Sequence, residues 1–190
     1  MNEADQRVVK TREGIRAAFE RLIETMPYGD ITVSAIAREA RISRRTFYVH
    51  YGTVEELLRQ MARERIERAA DAVQLEGELL DPADYVREFS RAVLVMLRED
   101  PNLADNVIKN LSMAQLLDLA REPLKDIFRE ELSKRGVREA DELDNCLTFC
   151  LGGLFAVYDE WERSGRDSEA FDNLAGFVGE VTAYGAVGFF

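Results

Sequence analysis

The sequence predicts an all-α protein, and two observations support this. Apolar residues recur at i, i+3, i+4 and i+7 through most of the chain, as one face of a 3.6-residue helix requires. Capping residues stand before these runs, and Gly or Pro stands after them. No segment remains from which a sheet could be built. We expect a three-helix N-terminal domain followed by a larger helical domain, with about nine helices in total.

The first helix is the clearest periodic signal. We predict that Thr11 caps it, because Thr is a favourable N-cap residue. Pro27 and Gly29 then break the pattern. Its apolar stripe comprises Ile15, Ala18, Phe19, Leu22 and Ile23.

Two short helices and a longer one follow. Thr32 and Ser43 stand where they would cap the second and third helices. Gly52 ends the third helix, and Thr53 with Glu56 has the spacing of a capping box that opens the fourth. Two helices of about two turns joined by a short turn predict a helix-turn-helix.

Longer helices are predicted in the rest of the chain. Asp81 followed by Pro82 opens one of them. Pro123 is expected to interrupt or kink the next. A long helix ends near Gly165, and a last one follows. We place the domain boundary after Gly52, giving domains of residues 1–52 and 53–190.

The charge is unevenly divided between these two domains. The net charge is −11, but residues 1–52 hold nine Arg and Lys against seven Asp and Glu, which leaves −13 for residues 53–190. Binding to phosphate needs a local basic surface, so an acidic total does not exclude a nucleic-acid partner. No stretch approaches the roughly 18 apolar residues of a membrane helix, and the start has no apolar signal core, so we expect a cytoplasmic protein.

The residues that could carry catalysis or hold a metal are few. Cys146 and Cys150 are the only cysteines, and the only histidine, His50, is distant in sequence. Because zinc needs about four ligands, we expect no metal or cofactor and interpret both thiols as small buried hydrophobic groups. There is no Gly-rich phosphate loop and no nucleophile with a base at recognisable spacing, so we expect no enzyme.

The third helix is the candidate site for DNA. A helix of this size fits the major groove, which is about 12 Å wide. Phe47 is predicted to turn inward. In the alternative interpretation, the arginines are merely solvated and the tyrosines belong to the core. The predicted exposed face carries Arg44, Arg45, Thr46, Tyr48 and His50.

The stretch ITVSAIAREARISRRTFYVHYGTVEELL resembles the signature of the tetracycline-repressor (TetR) family, and with the first helix the match covers about residues 10–60. The resemblance implies that Tyr48 and His50 contact phosphates. It also implies that Thr32 and Ser34 offer a hydroxyl and backbone N–H groups to a phosphate. The residues nearest the bases would be Arg44, Arg45 and Thr46.

Two positions depart from the family pattern. The turn glycine is Arg41 here, so a positive φ at this residue would cost about 1–2 kcal/mol, which a phosphate contact by Arg41 could offset. The lysine that follows the third helix in the family is Val54 here, so the phosphate contact of that lysine is expected to be lost.

Residues 139–187 also resemble the C-terminal part of such regulators, in which two helices pack against their copies as a four-helix bundle. The resemblance implies a homodimer. In the alternative interpretation, the two mid-helix glycines accommodate a neighbour within the same chain. The residues predicted at the dimer interface are Gly152, Gly153, Phe155, Trp161, Leu174 and Val178.

A small-molecule effector is a further expectation, based mostly on the resemblance. Aromatic and Met residues at helical spacing are also typical of an ordinary core, so this alternative stays open. The residues that could line an effector pocket are Tyr85, Phe89, Met96, Met113, Phe128 and Phe149.

The sequence therefore predicts a regulator that binds palindromic double-stranded DNA as a dimer. We expect it to act as a repressor, and release from DNA by a small-molecule effector is a further expectation. The alternative is a co-regulator or activator that acts through a protein partner.

Overall fold

The computed structural model describes residues 3–74, 81–99, 106–108, 111–134, 143–165 and 167–187. Within these ranges the regular elements are helices, and no strand occurs. This confirms the predicted all-α fold class. None of the described helices is long and apolar enough to cross a membrane.

Two short helices of seven residues each follow the first long helix, and the later helices have 18 to 22 residues. A single 3₁₀ turn, Tyr28–Asp30, follows the first helix. The helices are α1 (Glu3–Ile23), α2 (Val33–Glu39), α3 (Arg44–His50), α4 (Val54–Gln74), α5 (Pro82–Glu99), α6 (Met113–Lys134), α7 (Leu143–Arg163) and α8 (Ser168–Val187).

The chain divides into two compact units. Unit 1 comprises residues 1–62 and 101–112, and unit 2 comprises residues 63–100 and 113–190. The boundary between them lies within α4. The domain division predicted after Gly52 remains a prediction.

Unit 1 is built around the apolar stripe of α1, and α1 packs against α2, which in turn packs against α3. All five predicted stripe residues of α1 are buried, as are Ile36 of α2 and Phe47 of α3. Burying such side chains contributes about 1.5–3 kcal/mol each, so this small core holds the short helices in place.

The predicted caps of the short helices are confirmed. Thr32 Oγ1 accepts a hydrogen bond from the backbone N–H of Ala35 at 3.2 Å. Ser43 Oγ accepts one from the N–H of Thr46 at 3.0 Å. Thr53 caps α4 in the same way, by accepting from the N–H of Glu56 at 3.0 Å. These bonds satisfy backbone donors that a helix start leaves without a partner.

Two predictions about helix ends are wrong. Thr11 does not cap α1, because the helix begins at Glu3 and the Thr11 hydroxyl donates to the carbonyl oxygen of Arg7 within it, at 2.7 Å. Pro123 does not interrupt α6, which runs through it, so the interruption is wrong, while the kink given as the other outcome stays a prediction. The Pro123 side chain is fully buried, so its packing offsets the missing hydrogen bond.

Unit 2 has α5 packed against α8, and α7 packed against both α6 and α8. The buried hydroxyl oxygens of Ser90 and Thr182 lie 2.8 Å apart and join α5 to α8. Trp161 Nε1 donates to the carbonyl oxygen of Asp167 at 2.8 Å, and the Trp161 ring lies against Phe171. These contacts fix the connection between α7 and α8.

Candidate nucleic-acid interface

The turn between α2 and α3 sets the direction of α3. Arg41 has φ 56°, and it is the one described non-glycine residue with positive φ. The N–H of Ile42 donates to the carbonyl oxygen of Ala37 at 2.9 Å, and the N–H of Arg41 donates to that of Arg38 at 3.2 Å. This pair of bonds is the Schellman motif, in which the residue after the helix is left-handed. The positive φ considered for this position in the sequence is therefore present, at an arginine.

The face of α3 that carries the predicted base-reading residues is largely exposed. Arg44, Arg45 and Tyr48 are exposed, and Phe47 on the opposite side is fully buried. Val49 is 75% exposed and lies beside Tyr48, although sequence analysis did not single it out. An apolar side chain in this position can contact a thymine methyl group in the major groove.

The remaining predicted contacts differ in exposure. Thr32 and Ser34, at the start of α2, are exposed. Thr46 and His50 are half-buried. The Thr46 hydroxyl oxygen lies 2.8 Å from that of Ser43, so part of its hydrogen-bonding capacity is used within the protein.

Aromatic packing holds α3 against the unit 1 core. The Phe47 ring centroid lies 5.9 Å from that of Tyr48 and 5.8 Å from that of Tyr51. Tyr51 is 1% exposed, and the Arg12 guanidinium lies 5.7 Å from its ring centroid. Tyr51 therefore packs in the core, which leaves Tyr48 as the exposed tyrosine of α3.

Four arginines of this segment have no acidic partner among the described residues. Arg38, Arg41, Arg44 and Arg45 are exposed, and none of them forms an ion pair with another described residue. Glu39 is the only acidic residue between positions 31 and 54, and its carboxylate is paired with Arg21 at 2.6 Å. Unit 1 thus offers four guanidinium groups that are free to bind phosphate oxygens or guanine edges.

This segment also matches a known family. Residues 15–61 match the model of the TetR family, described as bacterial regulatory proteins, and this range spans α1 to the first half of α4. Residues 15–61 are therefore a TetR-family segment.

Individual relatives agree with this assignment. The chain is 34% identical, over 103 residues, to the helix-turn-helix-type transcriptional regulator YxbF of Bacillus subtilis. The aligned part takes in 53% of this chain but only 26% of YxbF, so the chain matches about a quarter of that relative's length.

Solved structures of other regulators share the fold. The fatty acid degradation regulator FadR of Bacillus halodurans is 19% identical with a TM-score of 0.62, covering 91% of this chain and 94% of FadR. A TetR transcriptional regulator of Rhodococcus sp. RHA1 is 16% identical with a TM-score of 0.63, covering 91% of this chain and 96% of that one. At these identities the likeness concerns the fold alone.

In unit 2, the residues predicted at a dimer interface are divided between core and surface. Phe155, Trp161 and Val178 are buried, because α5, α7 and α8 pack against one another. Gly152 and Leu174 are half-buried, and Gly153 is exposed.

Exposed apolar side chains lie elsewhere on α7 and α8. Phe149 is 77% exposed on α7, one helical turn before Gly153. Phe177, Val181 and Tyr184 are exposed on α8, where the spacing i, i+4, i+7 puts them on one face. We call Phe149, Gly153, Phe177, Val181 and Tyr184 the apolar surface. Except for Gly153, sequence analysis missed these residues as interface candidates.

The mid-helix glycines are not required by neighbours within the chain. A Cβ atom added at Gly152 or Gly153 would meet no described atom within 4 Å outside the adjacent helix backbone. The alternative interpretation, in which the two glycines accommodate an intrachain neighbour, is therefore wrong for the described residues.

Only some of the residues predicted to line an effector pocket lie together. The rings of Tyr85, Phe89 and Phe128 contact one another, with centroids 5.1–6.0 Å apart, and all three are buried. Met96 is half-buried. Met113 and Phe149 are 42% and 77% exposed, so they lie at the surface and not in this cluster.

A different part of unit 2 contains an open groove of about 380 Å³. None of the six predicted pocket residues lines it. Most of its lining is charged, with Glu131 buried and paired with Lys134 at 2.7 Å. The groove is lined by Arg63, Glu67, Ala70, Asp71, Asp126, Ile127, Glu130, Glu131 and Lys134.

Proposed function

We propose that the chain is a sequence-specific DNA-binding transcriptional regulator that binds palindromic operators as a homodimer and represses transcription. The observation that carries the proposal is the exposed face of α3, where Arg44, Arg45 and Tyr48 stand clear of the core that holds Phe47. The TetR-family segment at residues 15–61 supports it.

The dimensions of α3 suit the major groove. Its seven residues span about 10 Å, and the groove is about 12 Å wide. Arg44 and Arg45, in the first turn, are placed to reach base edges, as recognition helices use their N-terminal residues. Tyr48, one turn later, is placed to donate to a phosphate oxygen.

The DNA-binding proposal is tested by selecting binding sites from random duplexes and then titrating salt. Arg44→Ala should weaken binding to the selected site by about 1–3 kcal/mol and relax sequence preference. Arg68→Ala removes the same charge from an exposed site on α4 in unit 2 and should change affinity little. Failure to select any sequence, or equal losses in both variants, would contradict the proposal.

The apolar surface supports the homodimer. Exposed aromatic side chains are enriched at protein interfaces, and an exposed face of this kind on two adjacent helices is suited to a four-helix arrangement with a second copy. Gly153 adds a position where a second backbone can approach closely, since no described atom of a neighbouring element lies within 4 Å of an added Cβ there.

The dimer is tested by sedimentation across a concentration series. Val181→Asp should shift the chain to monomer, because it places a charge in an apolar contact. Val8→Asp makes the same change on α1 at the same 47% exposure, and it should leave the dimer intact. A wild-type monomer at micromolar concentration, or dissociation by both variants, would count against the apolar surface.

The alternative function is a co-regulator or activator that acts through a protein partner. The alternative is retained because Val54 stands where the family pattern has a lysine. Footprinting with purified protein separates the two, because a co-regulator should protect no DNA without its partner. A reporter gene placed behind the selected site then distinguishes repression from activation.

Release by a small-molecule effector has less support. The Tyr85, Phe89 and Phe128 rings fill the space between α5 and α6 by contacting one another, so a ligand at this cluster must displace them. Screening small aromatic and acyl compounds for loss of operator binding tests release directly. Phe89→Ala should enlarge the space and change the response if the cluster is the effector site.

A further inference from the structure

The two cysteines of the chain form a pair on one face of α7. Cys146 and Cys150 are four residues apart within the helix, so their side chains lie one above the other. Both are half-buried, which corrects the expectation that they are buried hydrophobic groups. The exposed residues Phe149 and Gly153 lie on the same side of the helix.

Their spacing disfavours a disulfide between them. Cβ atoms at i and i+4 of a helix are about 5–6 Å apart, whereas a disulfide requires about 3.5–4.5 Å. Closing an S–S bond would therefore distort α7. A bridging atom held about 2.3 Å from each sulfur, as zinc is by thiolates, allows the sulfurs to stay up to about 4.6 Å apart.

We propose that Cys146 and Cys150 form a chelating dithiol site for a thiophilic ligand that accepts two thiolates at one atom, of which a trivalent arsenical is the simplest. Soft thiolate ligands favour such centres over hard cations. Within the described residues no group of three or more His, Cys, Asp and Glu is arranged for a metal ion. The site is therefore a two-thiolate chelate.

The hydrogen bond between the thiols favours ligand capture. The Cys150 thiol donates to Cys146, which lowers the pKa of Cys146 to about 7. The same contact, together with burial, raises the pKa of Cys150. Thiolate is the nucleophilic form, so Cys146 attacks first and Cys150 closes the chelate.

The reaction with an organic arsenoxide balances without an oxidant. Each sulfur forms one bond to arsenic, the arsenic–oxygen bonds break, and the two thiol protons leave with the oxygen as one water molecule. Arsenic remains trivalent and neither sulfur is oxidised.

The position of the site means that chelation should affect dimerisation, and this consequence rests on the proposed function. Cys146 and Cys150 lie on the same side of α7 as Phe149 and Gly153, which belong to the apolar surface proposed to receive a second copy. An arsenical with an attached aromatic group would occupy space there, so the ligand and the second subunit would compete. Chelation should then weaken both the dimer and operator binding.

The chelate is tested with phenylarsine oxide and intact-protein mass spectrometry in the presence of excess glutathione. The wild-type chain should retain one arsenical per chain and release it to a competing dithiol. Cys146→Ser and Cys150→Ser should each bind roughly 100-fold more weakly, because a single thiolate loses the advantage of the second. The helical circular dichroism signal should be unchanged in the adduct.

A matched control keeps two thiols at the wrong spacing. The double variant Thr148→Cys/Cys150→Ser places thiols two residues apart, where helical side chains do not face each other, and it should bind like the single-thiol variants. Wild-type-like binding by this control, two arsenicals on each wild-type chain, or an intrachain disulfide formed in air would overturn the proposal.

A second measurement separates this inference from the proposed function. Sedimentation of the adduct should show loss of dimer, and the Val181→Asp variant should still chelate one arsenical. If the arsenical binds while the wild-type chain is already a monomer, the chelating site stands and the proposed dimer fails. If the chain dimerises but retains no arsenical, the chelating site fails alone.

Discussion

Arg41 has a backbone conformation that is unfavourable for a residue with a Cβ atom. A left-handed φ at a residue with a Cβ atom costs about 1–2 kcal/mol, and the Schellman bonds of the turn maintain this conformation. Glycine would avoid the strain. The arginine is explained if its guanidinium binds DNA, since its side chain is exposed and it stands three residues before Arg44 in the sequence.

We therefore expect Arg41→Gly to stabilise the free protein by about 0.5–1 kcal/mol, because relief of strain outweighs the added freedom of the unfolded chain. Operator affinity should fall at the same time. Urea unfolding and a binding titration measure the two effects. The matched control is Arg38→Gly, which lies inside α2 and should destabilise by about 1 kcal/mol. Destabilisation by both changes would show that Arg41 bears no strain.

Tyr51 raises a second question about a single residue. Its hydroxyl is buried and has no hydrogen-bond partner among the described residues. A buried polar group in this state costs about 1–3 kcal/mol. Tyr51→Phe should leave stability unchanged or raise it by about 1 kcal/mol, with no change in DNA binding. Thermal unfolding measures this, and a loss of more than about 1 kcal/mol would reveal a bond to the hydroxyl.

Tyr48→Phe is the counterpart on the exposed face of α3. Because the Tyr48 side chain is about half exposed, loss of its hydroxyl should not affect folding. Operator binding should weaken by about 0.5–1.5 kcal/mol through loss of one hydrogen bond. The two Tyr→Phe changes, three residues apart, thus separate packing from DNA contact.

At the level of helices, local signals made several boundaries predictable. Thr32, Ser43 and Thr53 were identified as caps because a cap depends on a few neighbouring residues. The cap predicted at Thr11 is wrong because a threonine hydroxyl bonds equally well to a carbonyl inside a helix. The interruption predicted at Pro123 is wrong because the packing of its buried side chain can outweigh a missing backbone donor.

Surface and core were harder to separate from sequence. Helical spacing shows which residues share a face, but it does not show whether that face is covered. Phe149 was placed in a pocket and Phe155 in an interface, whereas the first is exposed and the second is buried. Val49 was overlooked because a β-branched residue between aromatic residues is typical of a core.

Gly153 allows the proposed helix contact to be tested directly. Gly153→Ala should favour α7 by about 1 kcal/mol through helix propensity, since the added methyl group has open space within the chain. It should nevertheless weaken the dimer if a second backbone approaches there. Sedimentation gives the dimer dissociation constant, and circular dichroism gives the unfolding free energy.

Gly14→Ala is the matched control for this change. Gly14 also lies inside a long helix with no described atom within 4 Å of an added Cβ. It should gain about the same propensity and leave the dimer unchanged. If both variants dimerise like the wild type, the glycine at position 153 does not mark a close helix contact.

For the whole molecule, the charge division favours selective binding. Residues 1–52 carry a net +2 while the rest carries −13. The four exposed arginines lie within eight residues of the chain, between positions 38 and 45, and the acidic remainder is repelled by DNA. A chain with this charge distribution needs a recognised DNA sequence for tight binding, because its nonspecific attraction to phosphate is weak.

The proposed dimer predicts the form of that site. Two copies related by a twofold axis present two α3 helices, so the selected DNA should contain two inverted half-sites separated by about 34 Å or a multiple of it. Replacing one half-site should weaken binding roughly 100-fold or more, because each mismatched base pair costs about 1–3 kcal/mol. Replacing the same number of base pairs in the spacer is the control and should have a smaller effect.

The Val181→Asp variant should bind the full site and the single half-site with similar affinity, because only one α3 is then available per molecule. Equal binding of both DNAs by the wild-type chain would show that each chain reads DNA alone.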